Sequence, residues 1–177
     1  MIQKQTKRIA MCGVLTTLAM IFSYIESIIP IPVPVPGIKL GVANIAIVSV
    51  LYIVGSKEAC IVNIIRIVLT ALLFGNLNSF IFSMCGGGLS IIMMIIVKKL
   101  DILTVTGVSV IGGIMHNIGQ IGAAILIIGS SAIILYLPVL LISGVITGIV
   151  IGIVAGMVMK RVMASDVIKI DIIISTN

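Results

Sequence analysis

The chain has no tryptophan, one histidine, three cysteines and only five acidic residues among 177. Each scarcity removes a class of chemistry. Cys12, Cys60 and Cys85 are scattered through apolar runs without metal-ligand spacing, so they read as small buried side chains and not as a disulfide framework or zinc site. Asp101, Asp166 and Asp171 are unpaired. Magnesium-dependent chemistry on a diphosphate normally needs clustered carboxylates, because that cation prefers their oxygens. ATP hydrolysis needs a GxxxxGK[ST] phosphate cradle, and Gly55-Ser56-Lys57 lacks its upstream part. A serine or cysteine nucleophile beside His116 would find no orienting carboxylate at matching depth. No residue is assigned a catalytic role, and no cofactor is expected to be bound by the chain itself.

What is abundant is apolar surface: 60% of the residues are hydrophobic, 9% are charged, and the mean hydropathy is +1.41. That composition belongs to an integral membrane protein. Apolar runs at 9–29, 38–54, 59–74, 80–97, 103–128 and 133–159 predict an all-α bundle of six transmembrane helices. Residues 1–161 then form one transmembrane domain and 162–177 a cytoplasmic tail. The N-terminal run is long and lacks a clear small-x-small cleavage site, so it is expected to remain as a helix. A formal charge of +6 invites a nucleic-acid reading, but the basic residues sit at the ends of apolar runs and form no patch with interleaved aromatics. They report topology. Lys4, Lys7, Arg8, Lys57, Lys98, Lys99, Lys160 and Arg161 share one side of a six-span chain and only Lys39 takes the other. By the positive-inside rule both termini are cytoplasmic, and the expected location is the plasma membrane. Phe22, Tyr24, Phe74, Phe80, Phe82 and Tyr136 fall near the outer ends, as an aromatic belt or the rim of a pocket would.

The segment GVSVIGGIMHNIGQIG at 107–122 sets His116, Asn117 and Gln120 near the middle of the bilayer, counting about 1.5 Å per residue from Lys98-Lys99. Polar groups at that depth persist mainly where they meet partners in a protein interior or wet cavity, so the cluster is a candidate functional site. His116 and Gln120 share a helix face, as do Asn63, Arg66 and Thr70 in the third run. Glu26 is the only carboxylate of the outer half, which makes it the natural partner of Arg66 or Lys39. Two readings follow. In one, Arg66 pairs with Glu26 while His116 and Gln120 bond between helices. In the other, Arg66, Lys39 and His116 outnumber Glu26 and leave positive potential for a ligand with an acidic end and an apolar body.

The proline-rich stretch PIPVPVPGIK at 30–39 favours an extended path, serving either as a preformed flap or as a rigid spacer. The outer loop at 75–79 carries Asn76 and Ser79, which either touch a ligand or simply turn the chain. Gly144, Gly148, Gly152 and Gly156 line one stripe of the sixth helix, chiefly for packing within the protein. Gly86-Gly87-Gly88 suits a cavity wall in the fourth.

SYIESIIPIPVPVPGIKLGVANI at 23–45, LLFGNLNSFIFSMCGGGLS at 72–90, GVSVIGGIMHNIGQI at 107–121 and YLP at 136–138 together resemble the Gx transporter family, also labelled heptaprenyl diphosphate synthase component I. That family looks like the substrate-binding S component of energy-coupling factor transporters. The resemblance implies an S-component-like bundle that captures a small molecule from outside, such as an anionic isoprenoid or quinone precursor. It implies a transmembrane coupling protein and two ATPase subunits as partners, with ATP consumed by the latter. The ligand would lie between the outer loops and later helices, among Lys39, Asn76, Ser79, His116, Asn117 and Gln120. Glu26, Asn44, Asn63 and Arg66 complete the candidate substrate-binding set. The coupling protein would meet a small-residue patch on the first helix, here Ala10, Gly13 and Thr17, with Val14 where the family pattern has its second alanine. The alternative is a non-catalytic membrane scaffold associated with a heptaprenyl diphosphate synthase.

Overall fold

The computed structural model describes residues 2–28 and 41–164. Within them the chain is helical, with no strand: α1 Ile2–Ile28, α2 Asn44–Ile53, α3 Ser56–Phe74, α4 Leu77–Leu100, α5 Val105–Ile128, a 3-10 turn Ser131–Tyr136, and α6 Leu137–Ala164. Four stretches are long and apolar enough to cross a membrane: Arg8–Ile28, Leu77–Leu100, Val105–Ile128 and Ser131–Val162. The protein is a helical membrane protein. Many of its exposed side chains are large and apolar, Leu72, Leu126, Leu135 and Ile142 among them, as a bundle facing lipid requires.

Contacts between helices orient the bundle. Arg8 at the start of α1 pairs with Glu58 at the start of α3 at 2.5 Å. Lys98 near the end of α4 donates to the Leu51 carbonyl near the end of α2 at 2.5 Å, with its ammonium 4.7 Å from the centre of the Tyr52 ring. Gly152 of α6 lies against Thr106 of α5. These contacts mark one end of the bundle, here called the basic end.

The helix in the second run is shorter than expected. The apolar pattern predicts a helix over 38–54, but α2 begins only at Asn44, after a turn in which Gly41 has φ +86°. A side chain is disfavoured in that left-handed conformation, whereas glycine takes it freely. Ten residues span roughly 15 Å, about half of a bilayer core. Since α2 ends at the basic end, it starts deep inside the bundle. The turn before it is held by the Glu26 carboxylate, which accepts from the N–H of Gly41 and, at 3.4 Å, from that of Val42. An acid placed there also complements the positive end of the helix dipole.

The turn between α3 and α4 is likewise tighter than the loop expected at 75–79. Asn76 accepts from the N–H of Ser79 at 2.8 Å and caps α4, so Asn78 and Ser79 are already helical. Phe82, expected near an aromatic rim, is 1% exposed and belongs to the core. The only aromatic pair among the described residues is Tyr24 with Phe74, centroids 4.8 Å apart.

Buried apolar side chains fall into two clusters. The larger, including Leu15, Leu51, Val62, Met94, Val108 and Ile151, fills the basic half. The smaller, including Phe82, Ile121, Ala124 and Leu140, fills the far half. Along α3, α4 and α5 the buried polar residues occur between or beyond these positions: Asn63, Arg66 and Thr70; Ser83 and Ser90; His116, Asn117 and Gln120. A polar layer therefore separates two greasy ones.

Glycine sets how closely the helices approach around this layer. A methyl group added at Gly113 would stand 2.4 Å from the Gly144 carbonyl oxygen, and one at Gly148 or Gly152 would stand 2.6 Å from the Val110 Cα or 2.5 Å from the Thr106 Cα. Backbone meets backbone along this α5–α6 seam, as the four-residue stripe predicts for packing within the protein. Gly156 departs from the stripe and has open space. In the glycine triplet, Gly86 faces His116 and Gln120 of α5, Gly87 faces Asn63 and Ile67 of α3, and Gly88 faces open space.

Candidate functional site

The polar layer is assembled from five helices, and each contributes groups whose partners can be followed. Arg66 on α3 is 5% exposed. Its Nη2 donates to Asn63 Oδ1 at 2.8 Å and its Nη1 donates to Ser23 Oγ of α1 at 3.4 Å. Asn63 passes the link onward, since its Nδ2 donates to the Gly87 carbonyl of α4 at 3.1 Å. This chain ties α1, α3 and α4 together through neutral groups. Among the described residues no ion pair joins Arg66 to Glu26, the partner that sequence reasoning offered it. Glu26 lies less than one turn from Ser23 on α1, but its carboxylate is engaged at the turn before α2.

A buried guanidinium without a contacting carboxylate is expensive, because the effective penalty for removing an ion from water is still several kcal/mol after the protein relaxes. Hydrogen bonds to Ser23 and Asn63 offset part of it. The Nε atom has no partner among the described residues, and neither has the hydroxyl of Thr70 one turn further along α3. Both residues line a cavity of about 10 Å³ between α3 and α4, completed by Ile67, Ala71, Ser79, Phe80 and Ser83. That is room for about one water. No acidic side chain lines it.

On the other side of α4 polar groups meet one another, although Asn117 Oδ1 has no partner among the described residues. Gln120, fully buried, lies with its Nε2 3.0 Å from the Nε2 of His116. Gly41 packs against the same ring, so the turn before α2 and the middle of α5 are in contact. Asn44, also buried, begins α2 beside that turn, with its amide near Gly41. Asn117 points elsewhere: its Nδ2 donates to the Leu140 carbonyl of α6 at 2.5 Å and lies against Gly144. It clamps α5 to α6 and does not line the cavity.

The ten sequence-derived candidates thus divide. Arg66 and Ser79 line the cavity, and Asn63 holds Arg66. Glu26, Asn44, His116 and Gln120 gather around Gly41 and the start of α2. Asn117 serves the α5–α6 seam and Asn76 caps α4. Lys39 lies outside the described residues, with the whole proline-rich stretch. Sequence reasoning missed Ser83 and the role of Ser23 and Gly41. Ser83 follows Ser79 by one helical turn, a spacing that puts both hydroxyls on one face and would have found it. The partner candidates Ala10, Gly13 and Thr17 are exposed on α1, and nothing lies within 4 Å of where a Gly13 side chain would begin.

Comparison with known proteins gives one match. The family model described as heptaprenyl diphosphate synthase component I matches residues 15–158, which include every helix from α1 to α6 in whole or large part. No curated protein and no solved structure matches the chain.

Proposed function

The chain belongs to the heptaprenyl diphosphate synthase component I family, and we propose that it is the ligand-capturing membrane subunit, an S component, of an energy-coupling factor type uptake transporter. The observation that carries this reading is the half-length α2, which starts at the depth of His116 with the turn before it held by Glu26. Interrupted helices whose ends meet a buried polar layer are how transporters place a binding site at mid-membrane. In this reading the bundle crosses the plasma membrane six times, with both termini cytoplasmic. The basic residues at one end support that orientation.

The ligand is a small molecule with an anionic end and an apolar body, an isoprenoid or quinone precursor being the kind of compound the family description suggests. Arg66 supplies the cationic contact, and Met, Ile and Phe side chains of the walls receive the body. Ala10, Gly13 and Thr17 offer an exposed face of small side chains on α1, suited to close approach by a helix of a coupling protein. Two ATPase subunits supply the energy, since the sequence has no phosphate cradle. The chain itself catalyses nothing in this reading, consistent with the dispersal of its three aspartates.

The family description favours a second reading, a membrane scaffold that recruits a soluble prenyl diphosphate synthase. Affinity purification of the full chain from native membranes separates the two. The transport reading expects coupling and ATPase subunits to come with it. A soluble synthase arriving without them would overturn transport in favour of the scaffold.

A further inference from the structure

We infer that the cavity between α3 and α4 is the seat of an anionic oxygen, the phosphate or carboxylate end of a ligand, and that Thr70 and Ser83 bind it together with Arg66 and Ser79. The inference rests on reading the polar layer as a ligand site, but not on which subunits energise it. It separates the layer into a binding half and a scaffolding half that the sequence does not distinguish.

Four observations meet at this cavity. Arg66 Nε and Thr70 Oγ1, both in residues at least 95% buried, have no partner among the described residues, and both residues line it. Unpartnered buried donors are uncommon and call for an occupant. Ser79 and Ser83 approach from α4, one turn apart, so hydroxyls on two helices face a guanidinium across a space of about 10 Å³. The wall itself contains no carboxylate; Glu26, which acts on Arg66 electrostatically, lies outside it. Ser79 belongs to the first turn of α4, a 24-residue helix with no acidic residue in that turn, so the positive end of its dipole adds to the field of Arg66.

Other polar groups of the layer hold helices, and those of its unpartnered atoms that belong to Ser90 and Asn117 lie in residues outside the cavity lining. Asn63 fixes the guanidinium by its 2.8 Å bond and is anchored in turn on the Gly87 carbonyl, which makes it a positioning residue. Asn117 bonds to the Leu140 carbonyl on the far side of α5. A guanidinium held by one edge, with Nε left for the cavity, suits an oxyanion better than a water, because each N–H···O bond is then charge-assisted on both sides. The cavity accepts one oxygen of the anionic group; the rest of that group and an attached apolar body lie outside it, toward Ala71 and Phe80 at the end away from the basic residues.

The test uses the full-length protein in phosphatidylcholine nanodiscs, with hexyl phosphate and hexanoate as probes and hexanol as the uncharged control. Titration calorimetry, corrected with empty discs, is expected to give saturable binding of at least one anionic probe and none of hexanol. Arg66→Gln is expected to weaken it by 30-fold or more, and Thr70→Val and Ser83→Ala by about 10-fold or more each, the loss of one hydrogen bond to a charged group. Ser109→Ala removes another buried hydroxyl without a partner, one that does not line the cavity, and is expected to change affinity less than twofold. Should Arg66→Gln fail to fold, the Thr70→Val, Ser83→Ala double variant provides the same decision. Repeating the titration in phosphatidylglycerol discs identifies the source of the anion: loss of probe binding there assigns the seat to a lipid headgroup, retention assigns it to a free ligand. Absence of saturable binding by the wild-type protein, or equal binding by the cavity variants, overturns the inference. Coupling subunits that co-purify with a chain taking neither probe would leave the transport reading standing and remove only the anion seat.

Discussion

The seams α5–α6 and α3–α4 are built from similar materials and reach opposite ends. Along α5–α6, Gly113, Gly144, Gly148 and Gly152 bring two backbones together until no methyl group fits, and the amide of Asn117 closes on the Leu140 carbonyl. Along α3–α4, Gly87 makes room for the side chains of Asn63 and Ile67 and not for a backbone, and one turn away the small side chains are hydroxyls and the space between them stays open. The first seam spends its polar group on adhesion. The second leaves Arg66 Nε and Thr70 Oγ1 without partners in the described structure. Adhesion and reception thus differ in whether unpartnered atoms sit in residues that line a cavity, as Arg66 Nε and Thr70 Oγ1 do, or in residues packed into the seam, as Asn117 Oδ1 and Ser109 Oγ are, not in how many glycines the contact holds.

The comparison can be broken most forcefully at Gly148. Valine there would drive its Cβ into the Val110 backbone, which has no side-chain freedom with which to yield. Gly148→Val is expected to lose about 3 kcal/mol or more of stability, read by thermal unfolding in nanodiscs, because overpacking against backbone lies at the upper end of such costs. Asn76→Ala, at the turn of the receptive seam, is expected to cost about 1 kcal/mol, the worth of a helix cap. Thr70→Val should act in the opposite direction. Removing a buried hydroxyl without a partner is expected to leave the ligand-free protein unchanged or up to about 1 kcal/mol more stable, while the anion affinity falls. The smallest effect belongs to Gly156→Ala, where space is open: no loss, and a gain of at most about 1 kcal/mol from helix propensity. A stability loss at Gly156 matching that at Gly148 would show that the stripe continues into a contact with another subunit.

Much of the architecture is legible in the sequence because apolar runs and glycine spacing are local signals. The shared face of Asn63, Arg66 and Thr70 follows from helical periodicity, and the structure places Arg66 and Thr70 at one cavity with Asn63 behind them. The start of α2 is not legible. The stretch before Asn44 is as apolar as α2 itself, and what stops the helix is a left-handed Gly41 together with a carboxylate fifteen residues earlier. Partner choice is equally hidden. Charge counting offers Glu26 to Arg66 or Lys39; Glu26 acts on Arg66 electrostatically but hydrogen-bonds the turn before α2, while Arg66 hydrogen-bonds Ser23 and Asn63, because tertiary packing decides which donor each acceptor meets. Asn117 adjoins His116 in sequence but lies about 100° around the helix from it, which sends it to α6.

Native mass spectrometry of the full chain, released gently from its own membranes, tests the central claim most directly. The account predicts a discrete anionic adduct on the wild-type protein that is absent from Arg66→Gln and retained by Gly156→Ala. A bare wild-type chain, or an adduct that survives loss of Arg66, would contradict it.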